Sequence, residues 1–226
     1  MRLLVFSSTP WDTDNSFGNT YSNLFEGIDN IEFANIYCKE GCPKNNINSI
    51  YFYISEKSLL RNLVNSNISS GREVVKSTTP IVIDNIDNNI NIINKLIEFA
   101  RKNRWRIFFW IRRFIWFIGR WKSDELKKFI SNFKPDIIFV PLYHSTYLNK
   151  IILFIKEYTG VKMVSYVSDD VYSLKRFSFS PFFWLDRIVT RRIIKKVVNQ
   201  CEYLYVISDI QKKEYEKYFK KECKLL

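Results

Sequence analysis

Residues 135–170 read PDIIFVPLYHSTYLNKIILFIKEYTGVKMVSYVSDD. Lys134-Pro135 closes the preceding segment, and Asp136 to Pro141 is a short apolar run. From Tyr147 to Tyr158, Leu148, Ile151, Ile152, Phe154 and Ile155 recur at helical spacing, and Gly160 stops the helix. Val161 to Val167 is a second apolar run that ends in Ser168-Asp169-Asp170. Strand, helix and strand in this order make a βαβ unit with parallel strands and a right-handed crossover. Ligands of open parallel sheets bind beyond the carboxyl ends of the strands. The polar residues stand at those ends: Tyr143, His144 and Ser145 after the first run, Ser168, Asp169 and Asp170 after the second.

The rest of the chain extends this unit on both sides. Leu3 to Phe6 predicts a strand, Ser7 to Phe17 a polar loop, and Gly18 opens a helix to about Gly27. Ile31 to Cys38 and Ile50 to Ile54 predict further strands, with a loop over Lys39 to Ser49 and a helix over Glu56 to Val64. The polar stretch 65–89 leaves room for a short strand at Ile81-Val82-Ile83, and a helix is expected from near Asn89 to Ala100. Ser123 caps a helix over Asp124 to Asn132. After the central unit come a loop from Val171 to Pro181, a basic helix over Phe182 to Asn199, a strand at Tyr203 to Ile207, a helix over Ile210 to Lys220 capped by Ser208-Asp209, and a last strand at Lys224 to Leu226.

With 226 residues, 46% hydrophobic and 26% charged, the chain has a globular balance and enough length for a substantial core. Its net charge of +12 points to an anionic partner: nucleic acid, an acidic membrane surface or a phosphorylated substrate. Cys38 and Cys42 lie close together with no histidine nearby, so they read as reduced thiols and no metal site is expected. The N-terminal apolar stretch is too short for a signal peptide, and no window reaches the roughly 18 apolar residues of a spanning helix.

Arg101 to Lys122 holds eight basic residues, no acid, and four of the six tryptophans. On a helical wheel Ile107, Phe108, Trp110, Ile111, Phe114, Ile115, Phe117, Ile118 and Trp121 form a broad apolar face. Trp105, Phe109 and Trp116 fall on the basic side among Arg106, Arg113 and Arg120. Basic groups that meet lipid head groups, with tryptophan at the acyl boundary, make an interfacial helix, and these six residues are the expected membrane contacts. The alternative is arginine stacked on core-facing tryptophan. Arg112-Arg113 in the middle argues against a spanning helix.

The order K-P-D-I-I-F-V, a helix ending in T-G, V-K-M-V-S-Y-V-S-D-D, a basic helix, then C-E-Y-L-Y-V-I-S-D with a helix behind it resembles the N-terminal half of two-domain (GT-B) glycosyltransferases, family 4 in particular. The resemblance runs over essentially the whole chain and rests on order and spacing, with no diagnostic motif. It implies a Rossmann-like doubly wound parallel sheet over residues 1–226, one half of a GT-B fold. It further implies metal-independent sugar transfer, with retention favoured, from a nucleotide-sugar donor to a cell-surface glycan or lipid-linked acceptor. The acceptor would be held by this half at the cytoplasmic face of the membrane. The donor-binding C-terminal domain is missing from the sequence, so the chain alone is expected to be inactive. Some relatives carry a histidine where this chain has Ser168-Asp169-Asp170.

The resemblance places the loop with Trp11, Asp12, Asn15 and Gly18 at the cleft between domains, near donor phosphates and acceptor; a plain strand–helix connection is the alternative. Asp169 and Asp170 are candidates to orient an acceptor hydroxyl or take its proton, although neighbours on an extended chain point opposite ways. A helix cap or an ion pair with Lys175 or Arg176 is the competing role. His144, the single histidine, and Ser168 are candidate acceptor contacts. From a different class, a non-enzymatic basic module that binds nucleic acid or anionic membrane fits the charge and the interleaved aromatics. No nucleic-acid-binding motif is present, so the first reading is preferred.

Overall fold

The computed structural model of the chain describes residues 1–47, 49–75, 106–173 and 178–226. In chain order the elements are β1 (Arg2–Ser7), α1 (Ser16–Phe25), β2 (Glu32–Tyr37), β3 (Ser49–Ile54), α2 (Glu56–Val64), β4 (Gly71–Val74), α3 (Arg106–Ile118), α4 (Asp124–Phe133), β5 (Ile137–Pro141), α5 (Thr146–Thr159), β6 (Lys162–Val167), α6 (Pro181–Gln200), β7 (Tyr203–Val206), α7 (Asp209–Phe219) and β8 (Cys223–Leu225). The expected strand at Ile81–Ile83, the helix over 89–100, Trp105, Lys175 and Arg176 lie outside the described residues.

One sheet of order β4-β3-β2-β1-β5-β6-β7-β8 carries the fold. All neighbours pair parallel except β3 with β4. From the central β1–β5 pair the chain winds outward in both directions, so right-handed crossovers place their helices on opposite faces. Side chains divide by alternation. Leu4, Phe6, Ile36, Ile138 and Val140 join the core under α2 to α7, while Leu3, Val5, Phe33 and Phe139 pack with Tyr21 of α1. This is the Rossmann-like doubly wound α/β arrangement. The central unit matches its sequence: Ile137↔Lys162 to Pro141↔Tyr166 pair in parallel, and Gly160 ends α5 in the left-handed conformation at φ 69°.

Strand β4 adds an antiparallel member to the expected parallel sheet, inside the polar stretch that begins at Asn65. It is four residues long, runs antiparallel to β3 with Tyr51 opposite Val74, and leaves Arg72 and Glu73 exposed. Its two central charges hide it from any hydrophobic alternation test, and such charges are usual on an edge strand.

The larger correction concerns α3. Trp116 is buried at 1% exposure and Ile115 at 8%, whereas Phe114, Phe117 and Ile118 are 60%, 70% and 41% exposed. The stripe that faces inward is Arg112, Ile115, Trp116 and Gly119, at positions i, i+3, i+4 and i+7. Trp116 stacks on Tyr147 of α5 with centroids 4.3 Å apart, and the Arg112 guanidinium lies 5.5 Å from the same ring. Arg112 also grips Glu56 of α2 through Nε and Nη2, both at 2.8 Å. A Cβ on Gly119 would sit 2.7 Å from the Ile115 carbonyl oxygen and 3.1 Å from Leu59, so glycine lets the helix end close on α2. Trp116 is therefore not a membrane contact. Arg113 pairs with Asp186 of α6, Arg120 is exposed, and the backbones of Arg106 and Phe109 lie in the first turn of α3. Among the described residues, no helix is long and apolar enough to cross a membrane.

Candidate functional site

The carboxyl ends of β1, β5 and β6 bring their loops to one rim of the sheet. The loop after β1 is built for its own stability. Ser7 Oγ donates to the Thr9 carbonyl at 2.6 Å, and Asn35, fully buried on β2, donates to Ser7 Oγ at 2.9 Å and to the Val5 carbonyl at 3.1 Å. Trp11 is fully buried, edge-on to Tyr21 and Phe33, with its indole N–H donating to Ser22 Oγ at 3.1 Å. It is a core residue, which corrects its assignment as a substrate contact.

Asn15 is the N-cap of α1. Its side chain accepts from the Gly18 N–H at 2.8 Å and donates to the Pro10 carbonyl at 3.0 Å, so both ends of the amide are engaged in holding the loop. The helix thus opens at Ser16, and Gly18 falls in its first turn. A Cβ at Gly18 would meet the Asp12 carbonyl oxygen at 2.0 Å. The glycine is required because the loop backbone lies directly on the helix, and that space is filled by protein. Asp12 Oδ1 accepts from the Asp14 N–H at 3.0 Å, an Asx turn that closes the same loop. Of the four expected contacts in this loop, Asp12 alone is a half-exposed carboxylate.

The loop after β5 is pinned from three sides. The Leu142 N–H donates to the Tyr166 carbonyl at 3.0 Å. The Tyr143 hydroxyl accepts from the Ser8 N–H at 2.8 Å, which stitches the β1 and β5 loops together. Asn149, fully buried on α5, donates to the carbonyls of Tyr143 at 2.7 Å and Ser145 at 3.0 Å. Burial pushes the Tyr143 phenol well above its ordinary range, so it stays neutral. On this fixed loop His144 is exposed. Ser145, the N-cap of α5, makes no side-chain capping bond, so the first-turn N–H groups of that helix open on the same rim.

The two carboxylates after β6 part company. Asp170 Oδ1 accepts from the N–H groups of Ser173 at 2.9 Å and Tyr172 at 3.3 Å and lies 3.5 Å from the Tyr215 hydroxyl. It caps the turn that follows while remaining exposed, as Asp169 is, so one of its oxygens is engaged by its own loop. The buried Arg187 donates to the Ser173 carbonyl and fixes this turn against α6. Asp169 is exposed, and Ser168 is half-buried beside Tyr166. The Tyr166 phenol is pushed up to about 12, chiefly by burial, with Asp169 acting in the same direction and Ser168 against it.

The rim therefore presents His144, Ser168 and Asp169 on the loops of two adjacent parallel strands, with Asp12 on the loop of the next. An imidazole and a carboxylate so displayed can hydrogen-bond the hydroxyls of a polar ligand, and the carboxylate can accept a proton from one. Tyr143 was singled out in the sequence by its place at the strand end but not as a pin, and Ser8 and Asn149 went unnoticed; an asparagine one helical turn past the N-cap was the available signal. Among the described residues, no three His, Cys, Asp or Glu side chains come together as a metal-binding group.

No protein-family model matches the chain, and no curated protein is significantly similar to it.

Proposed function

We propose that the chain is the acceptor-side half of a metal-independent glycosyltransferase of the two-Rossmann type. It would hold a glycan or lipid-linked acceptor at a membrane face while a donor-binding domain supplies the nucleotide sugar. The observation that carries this reading is the pair of exposed groups, His144 and Asp169, on pinned loops at adjacent strand ends of a doubly wound sheet. Asp169 is assigned to orient or deprotonate the acceptor hydroxyl, and His144 and Ser168 to bind the saccharide. Sugar transfer through a nucleotide-sugar donor needs no resident cofactor in this half.

The test is saturation-transfer NMR with a short-chain polyprenyl-phosphate-linked saccharide, beside calorimetric titration of nucleotide sugars. The expected result is transfer to the saccharide that is lost in His144→Ala and Asp169→Asn, with no heat from nucleotide sugars. Saccharide contact untouched by both substitutions, or tight nucleotide-sugar binding by this chain, contradicts the assignment. An electrophoretic shift of RNA or DNA that weakens steeply with salt would favour the basic binding module instead.

A further inference from the structure

The outward side of α3 and one side of α6 meet across a groove. Phe114 and Phe117 of α3 are 60% and 70% exposed, and Leu185 and Val189 of α6 are 57% and 37% exposed. An apolar groove of about 360 Å³ lies between Phe114, Phe117 and Val189, lined also by Trp116, Tyr147 and Ile193 and bounded by Thr146 and Lys150 of α5, with Leu185 one turn before Val189 on α6. The Arg113–Asp186 pair bridges α3 and α6. Apolar side chains this large, exposed on two neighbouring helices, mark a surface that is covered in use.

The charge around the groove identifies the cover. Lys150 stands 4.8 Å from the centroid of the Phe117 ring and has no acidic partner among the described residues. Burial pushes the Lys150 ammonium down, and the Arg113 and Lys122 cations act in the same direction. Arg120 and Lys122 are exposed just past the end of α3, and Arg192 and Lys196 are exposed along α6. Among the described residues, the acids nearby are Asp186, already paired, and Glu157, which lines the adjoining cleft with Arg120, Lys122 and Lys150. A second copy would bring cation against cation. An anionic lipid surface supplies phosphates for the rim and hydrocarbon for the ring faces, with aromatics at the boundary between them.

We propose that this α3–α5–α6 face beds on an anionic lipid bilayer, with Phe114, Phe117, Leu185 and Val189 at the acyl boundary and Lys150 on a lipid phosphate. The docking face is thus opposite to the one expected from the wheel: Trp116 anchors α3 to the protein, and the phenylalanines meet the lipid. Thr146, at one end of the groove, follows the loop of His144 within two residues, so a docked chain holds its polar rim close to the head groups. The inference deepens the membrane part of the proposed function and is independent of its sugar chemistry.

Flotation of the full chain with vesicles tests it, using phosphatidylcholine alone and an equal mixture of phosphatidylcholine and phosphatidylglycerol. Binding is expected to the mixture only. Phe114→Ser with Phe117→Ser should weaken it by about tenfold or more, from the lost burial of two rings. Lys150→Gln should weaken it by about fivefold, and Lys162→Gln, at the opposite rim of the sheet, should leave it unchanged. A second measurement leaves the phenylalanines intact: an environment-sensitive dye on Leu185→Cys, in a Cys42→Ser background, should shift to the blue on the mixed vesicles. Absence of binding, equal loss from Lys150→Gln and Lys162→Gln, or an unshifted dye overturns the proposal. So does sedimentation showing a dimer abolished by the phenylalanine substitutions while flotation persists. Vesicle binding without saccharide binding would sink the sugar reading alone, and the reverse would sink this inference alone.

Discussion

Helices α3 and α4 are consecutive in the chain and strongly amphipathic, yet they use their apolar sides in opposite ways. In α4 the apolar stripe Leu126, Phe129, Ile130 and Phe133 is wholly buried, acids stand in the first turn, and Ser123 Oγ accepts from the Leu126 N–H at 3.2 Å. In α3 the inward stripe contains an arginine and runs on to Gly119 just past the helix end, and Phe114 and Phe117 face out. An amphipathic pattern identifies the apolar side of a helix; it does not say whether protein or something else covers that side. The buried side of α3 is decided by partners far away in sequence, Glu56 and Tyr147, which give Arg112 and Trp116 places that no wheel displays.

The largest expected effect breaks the comparison within a single helix. Trp116→Ala and Phe129→Ala should each lose about 3–5 kcal/mol in urea denaturation, as buried aromatic truncations do. Phe117→Ala, one residue from Trp116, should stay within about 0.5 kcal/mol of the parent. Equal losses at 116 and 117 would mean that α3 buries both sides. Next, Gly119→Ala should cost about 2 kcal/mol, because its methyl group would press on the Ile115 carbonyl and Leu59, and α4 has no glycine to show the same sensitivity. The smallest effect sharpens the electrostatic side. A double-mutant cycle of Arg112→Ala and Glu56→Ala should give a coupling of about 1 kcal/mol, discounted because Arg112 is about one-third exposed. A coupling near zero would leave Trp116 as the main anchor.

Most of the fold was legible because its elements are local. The apolar runs at 137–141 and 162–167, the helical spacing between them and Gly160 fix a βαβ unit without help from the rest of the chain. Strand β4 was not legible because an edge strand of four residues with Arg72 and Glu73 at its centre has no apolar alternation to read. The loops that carry the candidate residues were legible, and which of those residues hold their own loop was not. Strand ends point to His144, Ser168 and Asp169 through topology alone. Whether a polar residue there serves a ligand or its own loop depends on hydrogen bonds of a few ångströms, and these took Asn15 into a helix cap and Asp170 into a turn. Trp11 failed for another reason: a tryptophan in a polar loop looks available, and only the α1–sheet interface reveals the slot that it fills.

The antiparallel edge at β4 has a consequence for crowded solutions. A sheet grows into a fibre only if both lips accept another strand, and a lip that carries exposed Arg72 and Glu73 is poorly suited to stacking. Among the described residues, β4 is thus a lip at which strand-to-strand association between copies of this chain is disfavoured.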